Sequence, residues 1–219
     1  MRTITGWAAI AALVLFALPA ALPAGAAELS VSVVDRDGRP VEDAVVTLRS
    51  RGHAGEPVHA VARKTVDQRD LTFVPYLEIL HPGDEVVFRN SDMTRHHVYS
   101  FSPAKAFEFV LAPHEQSAPQ RFDRTGVVAV GCNIHDGMIA WLYVSDAPWS
   151  LRTDASGRVA FDDLPAGDYE VRVWQPRLRP GLAEPRQSVT VGATPAALRF
   201  PLVLLPDTRA LHQREHGRY

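Results

Sequence analysis

Apolar and polar positions alternate through most of the chain beyond residue 27. Val31 and Val33, then Val45 and Thr47, flank Asp35-Arg36-Asp37-Gly38-Arg39-Pro40. Alternation bracketing an Asp-Gly turn predicts a hairpin. A second such unit begins at Thr153-Asp154-Ala155-Ser156-Gly157. Val159 and Phe161 follow it, then the turn Leu164-Pro165-Ala166-Gly167-Asp168, then the alternating Tyr169, Val171 and Val173. Residues 187–191 and 197–205 predict two more strands. Between these segments Phe73, Pro75, Leu77 and Ile79 alternate, His81-Pro82-Gly83-Asp84 predicts a turn, and Val86 and Phe88 lead to Asn90. Residues 126–131 and 138–144 read as apolar strands. No stretch holds a helical period for more than a couple of turns, and the 17 prolines and 14 glycines suit short strands joined by turns. The expected class is all-β.

Composition narrows the function. At 46% hydrophobic and 22% charged, the 219-residue chain is an ordinary globular one. A net charge of −2 offers no basic face for phosphates, so nucleic acid is not an expected partner. One cysteine excludes an intrachain disulfide and any single-chain four-cysteine metal site. The amino terminus carries Arg2, an apolar run from Trp7 to Leu18, and Ala24-Gly25-Ala26. This reads as a secretory signal over residues 1–26. Pro19, Pro23 and Gly25 interrupt the run before it spans a bilayer. An exported, periplasmic protein is expected, with no membrane span once the signal is removed.

The chemistry lies in Gly131-Cys132-Asn133-Ile134-His135-Asp136-Gly137-Met138, between two predicted strands. Cys132 ends one strand, Met138 begins the next, and His135 lies midway round the loop. A tight loop can turn a thiolate, an imidazole and a thioether toward one point. Sulfur with imidazole suits copper cycling between cuprous and cupric states. A trigonal site with a long axial thioether needs a second imidazole, and His96, at the start of the strand after Asn90-Ser91-Asp92-Met93-Thr94-Arg95, is the candidate. Each of these residues alone has an ordinary structural explanation. By chance, a given Cys would have His at +3 and Met at +6 only about once in 1,800 cases. On a strand, His97 should point away from His96. Met93 is expected to pack in the turn, and His53, His59, His212 and His216 lack metal-site spacing.

Residues 66–146 resemble a cupredoxin, the blue type-1 copper fold of plastocyanin and amicyanin. The resemblance rests on the approach from Gly83 to Asn90 (G-D-x-V-x-F-x-N), on His96 six places after that Asn, and on Cys132, His135 and Met138 (C-x-x-H-x-x-M). Residues 33–46 and 153–169 resemble the two halves of a transthyretin-like, carboxypeptidase-regulatory-like β-sandwich. The longer strings Arg95-His96-His97-Val98-Tyr99-Ser100-Phe101-Ser102-Pro103-Ala104-Lys105 and Gly131-Cys132-Asn133-Ile134-His135-Asp136 are similar to exported methylamine-utilisation-like proteins that combine both domains. One departure stands out: many small cupredoxins have Asn directly after the first His, where His97 stands here.

The expected architecture is a cupredoxin Greek-key β-sandwich (66–146) inserted into, or flanked by, a discontinuous carboxypeptidase-regulatory-like β-sandwich (27–65 and 147–205). A polar tail covers 206–219. The resemblance implies one type-1 copper per chain held by His96, Cys132, His135 and Met138, with no catalytic site. It implies single-electron exchange with a transient redox protein partner, with His135 nearest the surface. Copper storage or delivery is the alternative, as is a copper-stabilised module whose sandwich contacts a glycan or protein. A multicopper enzyme would need further His clusters such as H-x-H, and the chain has none.

Overall fold

The protein is described here by a computed structural model covering residues 27–52 and 57–207. Among these there is no helix, hence none long and apolar enough to cross a membrane. The expected signal at 1–26 and the tail from 208 lie outside the described residues. In chain order the strands are β1 (Ala27–Asp35), β2 (Val45–Ser50), β3 (Arg63–Arg69), β4 (Thr72–Val74), β5 (Leu77–Leu80) and β6 (Glu85–Asn90). Next come β7 (His96–Ser102), β8 (Lys105–Leu111), β9 (Gln120–Arg121), β10 (Gly126–Cys132) and β11 (Ile139–Val144). The last five are β12 (Trp149–Arg152), β13 (Arg158–Leu164), β14 (Gly167–Trp174), β15 (Arg186–Val191) and β16 (Ala196–Leu202).

The first and last of the described strands build one sandwich. Its sheets run β13-β1-β16 and β12-β2-β14-β15. Leu29, Val31 and Phe200 of the first face Val46, Leu48 and Val171 of the second in one buried core. Val171 stands beside Leu48 in the β2–β14 ladder, so segments far apart in sequence share sheet and core. The β2–β12 ladder pairs Leu48 with Trp149. The whole middle of the chain therefore leaves and returns between two neighbouring antiparallel strands, where an ordinary hairpin loop would sit.

That middle segment forms a second sandwich, with sheets β4-β3-β6-β9 and β5-β11-β10-β7-β8 around Val66, Phe88, Val98, Val130 and Leu142. It begins with β3 at Arg63, which ion-pairs with Glu85 at the foot of the β3–β6 ladder.

Several local expectations are corrected. The hairpin expected across Asp35–Pro40 closes only next to the turn, where Val34 bridges Pro40 and Val41 N donates to Val33 O; it does not extend to Val45 and Thr47, because β1 and β2 lie in different sheets. Val41 and Ala44 are both buried as the chain crosses the core between them. The alternation from Phe73 to Ile79 is broken at Pro75, which has no N–H to continue a ladder. β4 and β5 consequently join opposite sheets, and Leu77 and Leu80 point inward. Met93 is 81% exposed rather than packed.

Candidate metal centre

Three of the expected ligands converge. β7 and β10 are antiparallel neighbours, with Val98 opposite Cys132. This register carries His96, the first residue of β7, to the pole where β10 ends. The loop from Cys132 then brings His135 back over the same point. Cys132 Sγ lies 3.7 Å from His96 Nδ1 and 3.8 Å from His135 Nδ1, and the two Nδ1 atoms are 3.1 Å apart. The three donors all lie within 4.8 Å of one another. Ligands bonded to a first-row ion at about 2.0–2.3 Å in a trigonal arrangement stand roughly 3.5–4 Å apart, so the donor set fits one ion with small adjustment.

The centre is graded from inside to outside. His96 is fully buried and Cys132 is 9% exposed, whereas His135 is half-buried. Met138 is buried in the core cluster that contains Cys132, and its carbonyl accepts a hydrogen bond from Cys132 N (3.2 Å). Asn133 N donates to His97 O at 3.1 Å, tying the loop to β7 through the backbone at the position where Asn was expected. The His97 side chain points away from the centre, as its place on the strand requires, and its Nε2 meets Glu108 Oε1 at 2.8 Å.

One residue of the site was missed by sequence reasoning. His96 Nε2 donates to Asp92 Oδ2 at 2.9 Å. A carboxylate can only accept here, so this bond fixes the proton on Nε2 and leaves the Nδ1 lone pair facing Cys132 and His135. Asp92 is itself held by backbone N–H groups of the β3–β4 turn, Asp70 N at 2.6 Å and Leu71 N at 3.1 Å. Both turn residues have positive φ, 52° and 56°, which is what aims successive N–H groups at the two oxygens of one carboxylate. Asn90, fully buried, completes the frame. Its Oδ1 accepts from Asp92 N, and its Nδ2 donates to the carbonyls of Thr94, Leu111 and Ala112. The available signal was the Asn90-Ser91-Asp92 turn four residues ahead of His96.

Gly131 makes room for an aromatic cover. It pairs with Tyr99, and a Cβ at position 131 would fall 2.9 Å from Tyr99 Cζ. The ring thus lies close against the backbone that precedes Cys132.

Comparison with known proteins gives a partial likeness. No protein-family model matches the chain, and no curated protein matches it by sequence. Among solved structures, a purple cupredoxin from Nitrosopumilus maritimus is 18% identical over 37% of this chain and 98% of its own, with a TM-score of 0.33. An amicyanin mutant in the Cu(I) state is 18% identical over 46% of this chain and 98% of its own, at 0.35. A Cu-containing nitrite reductase from Thermus scotoductus SA-01 is 19% identical over 45% of this chain but only 25% of its own, at 0.37. The metal assignment therefore rests on the donor geometry.

Proposed function

We propose that the protein is a type-1 copper protein that passes single electrons to and from a protein partner in the periplasm. The observation that carries this reading is the meeting of His96 Nδ1, Cys132 Sγ and His135 Nδ1 at one point. In this reading the inserted sandwich that begins with β3 is the copper domain, and the sandwich that holds β1 and β16 is the carboxypeptidase-regulatory-like one. His96, Cys132 and His135 would be the strong ligands of the copper and Met138 a weaker one. Bound copper would supply one-electron redox chemistry.

The chain's own residues do the rest. Asp92 holds His96 in the tautomer that ligates. The apolar core around Cys132 and Met138 keeps water from the sulfur atoms. Four protein ligands leave no position for a substrate, which favours a carrier over an enzyme. His135, the half-buried member, faces the side from which a partner comes, and redox contacts of this kind are small and short-lived.

Visible and electron-paramagnetic-resonance spectra of the copper-loaded chain test the reading. An intense thiolate-to-copper band is expected in the wild type and none in Cys132→Ser. Met138→Leu should keep the band and raise the reduction potential. Cupric binding that is equally tight without Cys132 would defeat the assignment. Ready loss of copper to a chelator, without reversible redox cycling, would favour storage or delivery.

A further inference from the structure

The five-stranded sheet ends at β8, and no other described strand pairs with its outer side. Ser102 and Lys105 close a two-residue turn at Pro103-Ala104, and the ladder runs on without a bulge to His96 and Leu111. In a hairpin of this kind the closing pair exchanges hydrogen bonds, and so does every second pair after it. The N–H and C=O groups of residues 105, 107, 109 and 111 therefore serve β7, while those of Ala106, Glu108 and Val110 point to the free edge. The same phase holds across β7, where His97 O is turned toward β10 and accepts from Asn133 N. Among the described residues the edge-facing groups of 106, 108 and 110 have no partner.

Beside this edge runs a preformed groove of about 620 Å³, between β8 and residues 115–120. Phe107 and Phe109 stack on its floor at 5.6 Å and rest on Phe88. The far wall is fixed to β6. Ser117 N donates to Phe88 O (2.8 Å), Ser117 Oγ accepts from Phe88 N (3.0 Å), and Asn90 N donates to Glu115 O (2.8 Å). Glu108, which also meets His97, and Glu115, which also accepts from Ala112 N, are the charged residues that line the groove, and no Lys or Arg lines it. Val110 is 50% exposed. Natural edges are usually blunted by bulges, prolines or dense charge, and β8 has only Glu108 on its outward positions.

We propose that β8 takes up an extended basic segment of a partner protein as an added sixth strand. Backbone pairing to 106, 108 and 110 would give the affinity. The alternation of the sheet sets the sequence of the guest. Side chains falling beside Phe107 and Phe109 must be apolar, and those falling beside Glu108 must be Lys or Arg, as an opposite-charge cross-strand pair. This inference does not depend on copper binding.

The test uses the full chain and a fluorescein-labelled peptide of alternating Val and Lys, seven residues long (about the length of one strand). Saturable binding is expected, with slowed amide exchange at Ala106, Glu108 and Val110. A counterpart with alternate amides N-methylated should lose binding, and one with Glu for Lys should bind about tenfold more weakly or worse. Val110→Pro removes an outward N–H while sparing the β7 ladder, and should also weaken binding about tenfold. Should that variant misfold, the N-methylated peptide decides the matter on the unaltered protein. No binding, equal binding of the N-methylated or Glu peptide, or protection elsewhere would overturn the proposal. Self-association of the protein alone, abolished by Val110→Pro, would give the edge to a second copy and overturn the choice of a basic partner.

Discussion

The bond from His96 Nε2 to Asp92 decides which imidazole nitrogen is available to a metal, and so makes a carboxylate that touches no ligand atom part of the site. Removing such a support typically costs about 10–100-fold in metal affinity. Asp92→Ala is expected to weaken copper binding by that much in a chelator competition, with the visible band retained at saturating copper. Gly131 acts by what it lacks. Gly131→Ala would press a methyl group into the Tyr99 ring and should cost about 1–3 kcal/mol in urea unfolding. Adding Tyr99→Leu should recover most of the loss, because the obstacle is the ring. The Cys132, His135 and Met138 spacing was legible because all three lie on one loop. Asp92 was not, because its reason for being there is a turn at residues 70–71, brought alongside only by folding.

Two turns of the flanking sandwich repeat one design. Asp35 Oδ1 accepts from the backbone N–H groups of Asp37 and Arg39, and Asp154 Oδ1 accepts from those of Ser156 and Arg158. In each, a glycine with positive φ (Gly38 at 80°, Gly157 at 70°) closes the loop. Their surroundings differ. A Cβ at Gly38 would meet only the tip of Arg199 at 3.8 Å, whereas one at Gly157 would fall 2.5 Å from Val33 O and 2.8 Å from Val41 N. Gly38→Ala should therefore cost about 1 kcal/mol, from backbone conformation alone. Gly157→Ala should cost about 3 kcal/mol or more, because backbone must move. Chemical denaturation of the two variants checks the ordering. The turns were legible as Asp-x-x-Gly in the sequence. That the strands on either side of each turn go to different sheets was not, because alternation marks a buried face and not the sheet that owns it.

At the scale of the whole molecule the two sandwiches meet along β11. Trp174 packs edge-on to Trp141 at 5.8 Å and tilted to Tyr143 at 5.3 Å, and Tyr143 donates to Glu184. Burial and the adjacent Glu184 carboxylate push the Tyr143 hydroxyl well above its usual range, so it remains a donor at any ordinary pH. His59 stacks on His81 at 3.6 Å and its Nε2 meets Pro148 O at 2.8 Å. Burial lowers the His81 pKa from 6.5, and His59 and Lys64 lower it further against the opposing pull of Asp84. The unfolded chain thus binds a proton at His81 before the folded one does. Stability supplied by the neutral ring is complete above about pH 6.5 and is lost as pH falls through the lowered folded value. Thermal melts between about pH 7 and 5 should show this slope, and it should flatten in His81→Gln.

Strand-period patterning, turn chemistry and the C-x-x-H-x-x-M loop are local properties, and the sequence by itself determined from them an all-β chain with a sulfur–imidazole loop suited to copper. Which strands lie side by side is a non-local matter, settled by how two cores close at once. Only the tertiary structure decided that β7 neighbours β10 and so brings His96 to Cys132, that Asp92 is the group behind His96, and that β8 is left with an open edge. Each of these depends on pairing between segments whose separation in the chain carries no local signal.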